Sequence, residues 1–198
     1  AFHRQSAVVI ALAAALGEGL HLAGMGSCGE HFPGHGYVIP DSHVELPVDD
    51  RTFEAMQDDI EPYRQLPLDG VMAAHVIYNC IDCNTAVFPN KWIGYLRDDI
   101  KFNGVVFTDD LSMAGAGVVG GMINRVETAY NAGCDMLLVC NAPDVVGDVL
   151  ENWKPEIDPA RGKRVEALIP NVPAKDWDAL LSDSAYIAAQ ETIAKLMA

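Results

Sequence analysis

Short unbroken apolar runs alternate with longer helical stretches along this chain, and that alternation restricts the fold more than any other feature. The runs at 25–30, 70–75, 104–108 and 134–140 lack the polar alternation of a half-exposed sheet, so they read as strands covered on both faces. Between them, residues 5–22, 52–66, 91–100 and 121–132 carry helical patterns, giving the order αβαβαβαβ. Such an order calls for a parallel sheet with right-handed crossovers, either an open doubly wound sheet or a section of a (β/α)8 barrel. Further on, the sequence predicts a helix over 144–152, a Pro-rich connector over 155–173 and a final helix over 176–197.

Length and charge narrow the function. With 198 residues, half of them hydrophobic, the chain can bury a substantial core as one soluble domain with an appendage. A formal charge of −15, with only 13 Lys and Arg spread through the sequence, argues against nucleic-acid or anionic-membrane partners and for a neutral or sugar-like ligand. The longest apolar run, 7–16, is too short to span a bilayer and reads as an amphipathic or buried helix rather than a signal peptide. An odd count of five cysteines favours reduced thiols and a cytoplasmic setting. Cys80 and Cys83 form one C-x-x-C with no second pair, which favours ordinary thiols over a zinc or redox site. The first residue, Ala rather than Met, reads as a processed chain or a fragment.

Polar residues recur where such a fold would place a site. His31 follows the first strand candidate, His75 ends the second, Asp109 ends the third and Asn141 follows the fourth, all at the carboxyl edge where α/β sheets hold ligands. The loop His31-Phe32-Pro33-Gly34-His35-Gly36 leads into Asp41-Ser42-His43. Asp41 and His43 are two apart, so in an extended loop they leave the same side and can hydrogen-bond, which would make His43 a proton donor and acceptor near neutral pH. The plainer alternative is a turn after Pro40 with His43 on the surface. Asp109 ends the apolar run Val105-Val106-Phe107, where a carboxylate must be hydrogen-bonded or used. It could act as a nucleophile, with Asp110 as its neighbour or as a helix N-cap; otherwise both are caps. A second hypothesis is a metal-dependent hydrolase using His31 and His35 with Asp41 or His43, and a third is an inactive barrel remnant.

Taken together, these residues resemble the bacterial β-N-acetylglucosaminidases of glycoside hydrolase family 3, cytoplasmic enzymes that release N-acetylglucosamine from anhydromuropeptides in cell-wall recycling. The resemblance rests on Ala1-Phe2-His3, Ala23-Gly24-Met25, the HFPGHG loop, Asp41-Ser42-His43 with Leu46-Pro47, 74–78 as AHVIY, 101–113 as KFNGVVFTDDLSM, and 132–141 as AGCDMLLVCN. It implies a retaining β-N-acetylhexosaminidase. Asp109 would be the nucleophile and His43 the acid/base oriented by Asp41, while His31, Glu30, His75, Met113 and Asn141 would line the sugar site, with no cofactor and no metal. Most glycosidases use two carboxyl groups; a His in the proton-transfer role is sound because its reference pKa lies near the working pH. The family carries Lys where this sequence has Glu30, which implies weakened sugar binding.

The resemblance also implies a partial TIM barrel, the last four to five βα units. Residues 1–198 would form an incomplete barrel domain, with 155–198 as a connector and C-terminal helix packed on it. The implied partners are an N-acetylglucosamine-containing glycan or muropeptide and a missing N-terminal barrel half. Without that half, two open strand edges would leave the chain poorly stable and with little or no hydrolysis.

Overall fold

The computed structural model describes residues 2–81, 90–170 and 172–197. In chain order they form α1 (Ser6–Leu22), β1 (Cys28–Phe32), β2 (Val48–Asp49), α2 (Gln57–Gln65), β3 (Gly70–Ala73), β4 (Ile77–Tyr78), α3 (Asn90–Asp98), β5 (Val105–Thr108), α4 (Met122–Ala132), α5 (Pro143–Asn152), α6 (Pro159–Glu166), α7 (Trp177–Leu181) and α8 (Ser184–Leu196). Short 3-10 turns at Glu54–Met56 and Ala114–Val119 lead into α2 and α4. Cys83 of the C-x-x-C lies outside the described residues.

The expected strands β1, β3 and β5 form one parallel sheet in the order β1-β3-β5, with Gly70 opposite Val105 and Ala73 opposite Thr108. A helix follows each strand, which is the repeating unit of a TIM-barrel-like α/β fold. The fourth expected strand is only partly realised. Met136 bridges Phe107, and the amides of Asp135 and Met136 both donate to Val106 O at 2.8 and 3.1 Å. The Leu138 amide is then taken by the Thr108 hydroxyl at 2.9 Å, so a side-chain oxygen replaces a backbone acceptor and the ladder is interrupted. Residues 134–140 therefore run alongside β5 without completing a strand. A second, two-stranded parallel sheet, β2 with β4, was not foreseen; two residues per strand carry no readable period.

The core lies between the sheet and α2 and α3. Phe32, Tyr78 and Trp92 are fully buried, and the Trp92 ring stands edge-on to Phe32 at 5.9 Å and to Tyr78 at 5.4 Å. Such pairs add about 0.5–1.5 kcal/mol beyond the area they bury. Gly133 ends α4 in the left-handed region, φ 110°, which turns the chain sharply into 134–140.

Three expectations need correction. Helix α1 forms where expected, but of the two readings, amphipathic or buried, the buried one fails: none of its residues is buried, and Leu22 is 84% exposed. What ties it down is packing on α2 and a 2.6 Å contact from His21 Nε2 to Asp69 Oδ2. The connector over 155–173 contains a helix, α6, opened by Pro159 at its first position and by the Asp158 carboxylate, which accepts from the Ala160 amide. The single final helix is two, because Asp183 caps α8 by accepting from the Ala185 and Tyr186 amides. Among the described residues no helix is long and apolar enough to cross a membrane.

Asp135 anchors the start of the 134–140 segment. Its side chain is fully buried and accepts from Arg97 Nη2 at 2.7 Å, Arg164 Nη2 at 2.6 Å and the Val106 amide at 2.9 Å, joining α3, α6 and β5. Removing this charge strands two guanidinium groups and one amide. Asp135→Ala is expected to lower the unfolding free energy by about 3 kcal/mol, measured in a urea titration, whereas Asp41→Ala leaves the midpoint nearly unchanged.

Candidate active site

Because β1, β3 and β5 run parallel, their carboxyl ends share one edge, and the residues just past each strand converge there. His31, the penultimate residue of β1, and Asp109, the first after β5, are brought together: His31 Nε2 lies 3.5 Å from Asp109 Oδ2. The same nitrogen is 3.4 Å from Glu30 Oε2, so His31 sits between two carboxylates. The peptide bonds Glu30–His31 and Phe32–Pro33 are both cis. His35 stands edge-on to His31, ring centroids 5.9 Å apart, and its Nε2 is 3.1 Å from Ser42 Oγ.

The two adjacent aspartates do different work. Asp110 accepts from the Ser112 amide at 2.9 Å, the Ser112 hydroxyl at 2.6 Å, the Cys140 amide at 3.0 Å and Asn141 Nδ2 at 3.2 Å. Burial works to raise its pKa, but the Ser112, Cys140 and Asn141 donors outweigh it and hold the carboxyl below the usual range. No α-helix starts at Leu111, so Asp110 is not a helix cap; it closes a side-chain turn and crosslinks β5 to the 134–141 segment. Among the described residues, the Asp109 carboxylate accepts a hydrogen bond only from the Asp110 amide, at 2.7 Å through Oδ1, and its other oxygen faces His31. Of the pair, Asp109 is the one left to act on a ligand.

Asp41 and His43 form the expected dyad. His43 Nδ1 lies 2.7 Å from Asp41 Oδ1, and the His43 amide donates to the same oxygen at 3.0 Å. The turn after Pro40 is present as well, since the Val44 and Glu45 amides both donate to Asp41 O at 3.0 Å. The hydrogen bond that His43 donates to Asp41 and the charge of that carboxylate raise the His43 pKa, with further contributions from the charges of Asp109 and Asp110. The His43 amide and then its imidazole, both donating to Asp41, lower the Asp41 pKa. With Nδ1–H committed to Asp41, Nε2 is the nitrogen presented outward. The dyad stands in solvent, its side chains 73% and 65% exposed.

The remaining expected sugar contacts are placed differently. His75 is fully buried, so it backs the site instead of lining it; the β3 end carries it beneath the Asp110 peptide, where Nε2–H donates to Asp110 O at 3.1 Å. Burial lowers its pKa and keeps the ring neutral. Met113 is nearly buried, and Asn141 is exposed with its amide turned to Asp110. Two contributors had no readable signal. Arg125 of α4 braces the loop after Asp110 through Leu111 O at 2.7 Å and Gly120 O at 2.8 Å, and Ser42 is buried between the exposed Asp41 and His43. Among the described residues no group of three or more His, Cys, Asp and Glu side chains is arranged to hold a metal ion, and His31, His35 and His43 each face different partners.

Comparison with known proteins shows what the chain is similar to. The model of the glycosyl hydrolase family 3 N-terminal domain matches residues 1–167. A beta-hexosaminidase of Aromatoleum aromaticum is 48% identical over all of this chain, which covers 57% of that protein. A beta-hexosaminidase of Chromobacterium violaceum is 43% identical over 99% of the chain and 56% of its own length. The chain thus spans little more than half the length of the curated relatives it matches. Among solved structures, NagZ from Neisseria gonorrhoeae in complex with N-trifluoroacetyl-D-glucosamine superposes with a TM-score of 0.88 at 38% identity, covering 98% of this chain and 58% of that one. The β-N-acetylglucosaminidase from Thermotoga maritima gives 0.70 at 30% identity, covering 83% and 39%. Carrying the HFPGHG loop, the Asp41–His43 dyad and the strand-end Asp109 on a barrel segment matched over residues 1–167, the chain belongs to glycosyl hydrolase family 3, through its N-terminal domain.

Proposed function

We propose that this chain carries the nucleophile and the proton-transfer loop of a retaining β-N-acetylglucosaminidase acting on peptidoglycan-derived muropeptides. One observation carries the reading: of two neighbouring aspartates, Asp110 is saturated by four protein donors while Asp109 keeps an oxygen beside His31 at the strand ends. Asp109 attacks the anomeric carbon as His43 Nε2–H protonates the departing oxygen, giving a glycosyl ester on Asp109. The neutral imidazole then takes a proton from water, which attacks the same carbon and frees the carboxylate. Asp41 holds the ring and favours the imidazolium that each cycle regenerates. His31 steadies a sugar hydroxyl against Asp109, and Glu30, where the family carries Lys, weakens that hold.

Further parts of the reading are of the same kind. The open outer edge of β1 is where an N-terminal barrel half would pair, supplied by further sequence or by a second polypeptide. Residues 155–198 act as an appendage on the barrel segment, held through Arg161 to Cys134 O and Arg164 to Asp135. Cys28, Cys80, Cys134 and Cys140 are free thiols, as suits a cytoplasmic protein. No step calls for a cofactor or a metal.

Hydrolysis of a chromogenic β-N-acetylglucosaminide, by this chain and by the chain joined to the N-terminal half of a relative, tests the reading. The joined protein is expected to turn over substrate, to fall to background as Asp109→Ala and by about 10²–10⁴-fold as His43→Ala, and to ignore chelators. Turnover that needs added metal and survives Asp109→Ala sinks the reading in favour of a metallohydrolase; folded but silent protein points to a remnant.

Asp41→Asn removes the partner that raises the His43 pKa, so His43 loses its proton at lower pH. The alkaline limb of kcat/KM is expected to move to lower pH, read from a pH–rate profile. Glu30→Lys replaces a carboxylate beside His31 with a cationic donor and is expected to lower KM severalfold with a smaller change in kcat, measured on the same substrate.

A further inference from the structure

Within the turn Asp41-Ser42-His43 the middle side chain is buried and the outer two are not: Ser42 is 4% exposed while its neighbours stand in solvent. Of the three residues, Ser42 is the one that anchors the dyad to the protein interior. Two groups grip it. His35 Nε2 is 3.1 Å from Ser42 Oγ, and the Gly115 amide donates to Ser42 O at 3.3 Å. Gly115 belongs to the 3-10 turn at Ala114–Val119, on the loop that follows the two aspartates.

Position 115 is packed from both sides. A Cβ there would stand 3.0 Å from His75 Cβ and 3.2 Å from both His75 O and Ser42 O. Its φ is ordinary, so glycine is required for space and not for conformation. Two of the three neighbours are backbone atoms, so a methyl group displaces peptide, and the lighter of the two segments is the turn at Ser42. His75 cannot give way easily, because it is buried and donates to Asp110 O. A continuous path of contacts thus runs from Ser42 through Gly115 and His75 to the peptide next to Asp109.

We propose that Ser42 and Gly115 are positioning residues that register the Asp41–His43 loop against the Asp109 turn through the buried His75. The proposal rests on the reading of Asp109 as nucleophile and His43 as acid/base. Its consequence is that the spacing of the two reacting groups is set by one small contact, and a misplacement of about 1 Å can cost roughly 10²-fold in rate.

The test needs no turnover. The titration midpoint of the His43 ring is read by NMR in the otherwise unchanged chain and in Asp109→Asn, each with and without Gly115→Ala. With the loop registered, Asp109→Asn lowers the His43 midpoint, by about 0.3 pH unit for a partly screened charge. In the Gly115→Ala background that shift is expected to fall below half. An equal shift in both backgrounds overturns the proposal, as does no shift in either.

Ser42→Ala keeps the space at position 115 and removes only the hydroxyl held by His35. It is expected to weaken the same coupling, and it decides the matter if Gly115→Ala does not fold. Intact coupling in Ser42→Ala then counts against the proposal. A chain that shows the coupling but no hydrolysis when joined to its relative's half contradicts the glycosidase reading alone, so the two failures stay distinguishable.

Discussion

The arrangement at the carboxyl edge of the sheet depends on one saturated carboxylate, that of Asp110. By accepting from Ser112, Cys140 and Asn141 it closes the turn after β5 and fastens the 134–141 segment, which fails to complete a strand, to that turn. Charge-assisted bonds to a carboxylate are roughly twice as strong as neutral ones, so the crosslink replaces the missing ladder where the ligand would sit. It also leaves Asp109 with a single loop bond, through Oδ1 to the Asp110 amide, so that Oδ2 faces His31.

The opposite end of the same segment is fixed in a related way. Asp135 joins α3, α6 and β5 through two arginines and one amide, in full burial. Between these two carboxylates the apolar stretch Met136-Leu137-Leu138-Val139 is held by the Thr108 amide donating to Met136 O at 2.9 Å, the Leu138 amide donating to Thr108 Oγ1 at 2.9 Å and the Leu111 amide donating to Leu138 O at 2.8 Å. In a chain of net charge −15, Asp110 and Asp135 are committed internally, while Asp41 and Glu30 stand exposed at the candidate site and Asp109 keeps one oxygen beside His31.

Much of the framework was legible. β3 and β5 stood out because β-branched and apolar residues run unbroken, and α3 and α4 because their apolar residues recur at helical spacing. Signals for α6 and for the break before α8 were present, as Asp158-Pro159 and Ser182-Asp183, but the surrounding prolines and the long apolar tail masked them. The interruption of the fourth strand was not legible, since whether Thr108 offers its hydroxyl or its carbonyl to Leu138 is a tertiary choice. At the site, the spacing of Asp41 and His43 gave their contact directly. The burial of His75, the division of labour between Asp109 and Asp110, and the packing of Ser42 on Gly115 depend on neighbours far along the chain, which a local pattern does not encode.

The openness of the dyad has a consequence for how such chemistry would be shielded. Bulk water around a charged imidazole weakens every electrostatic contact it makes, and a pair this exposed cannot exclude that water with its own neighbours. The guest must then be its own stopper: a ligand with a broad leaving portion would dry the loop as it lands, and a slim one would react in the wet.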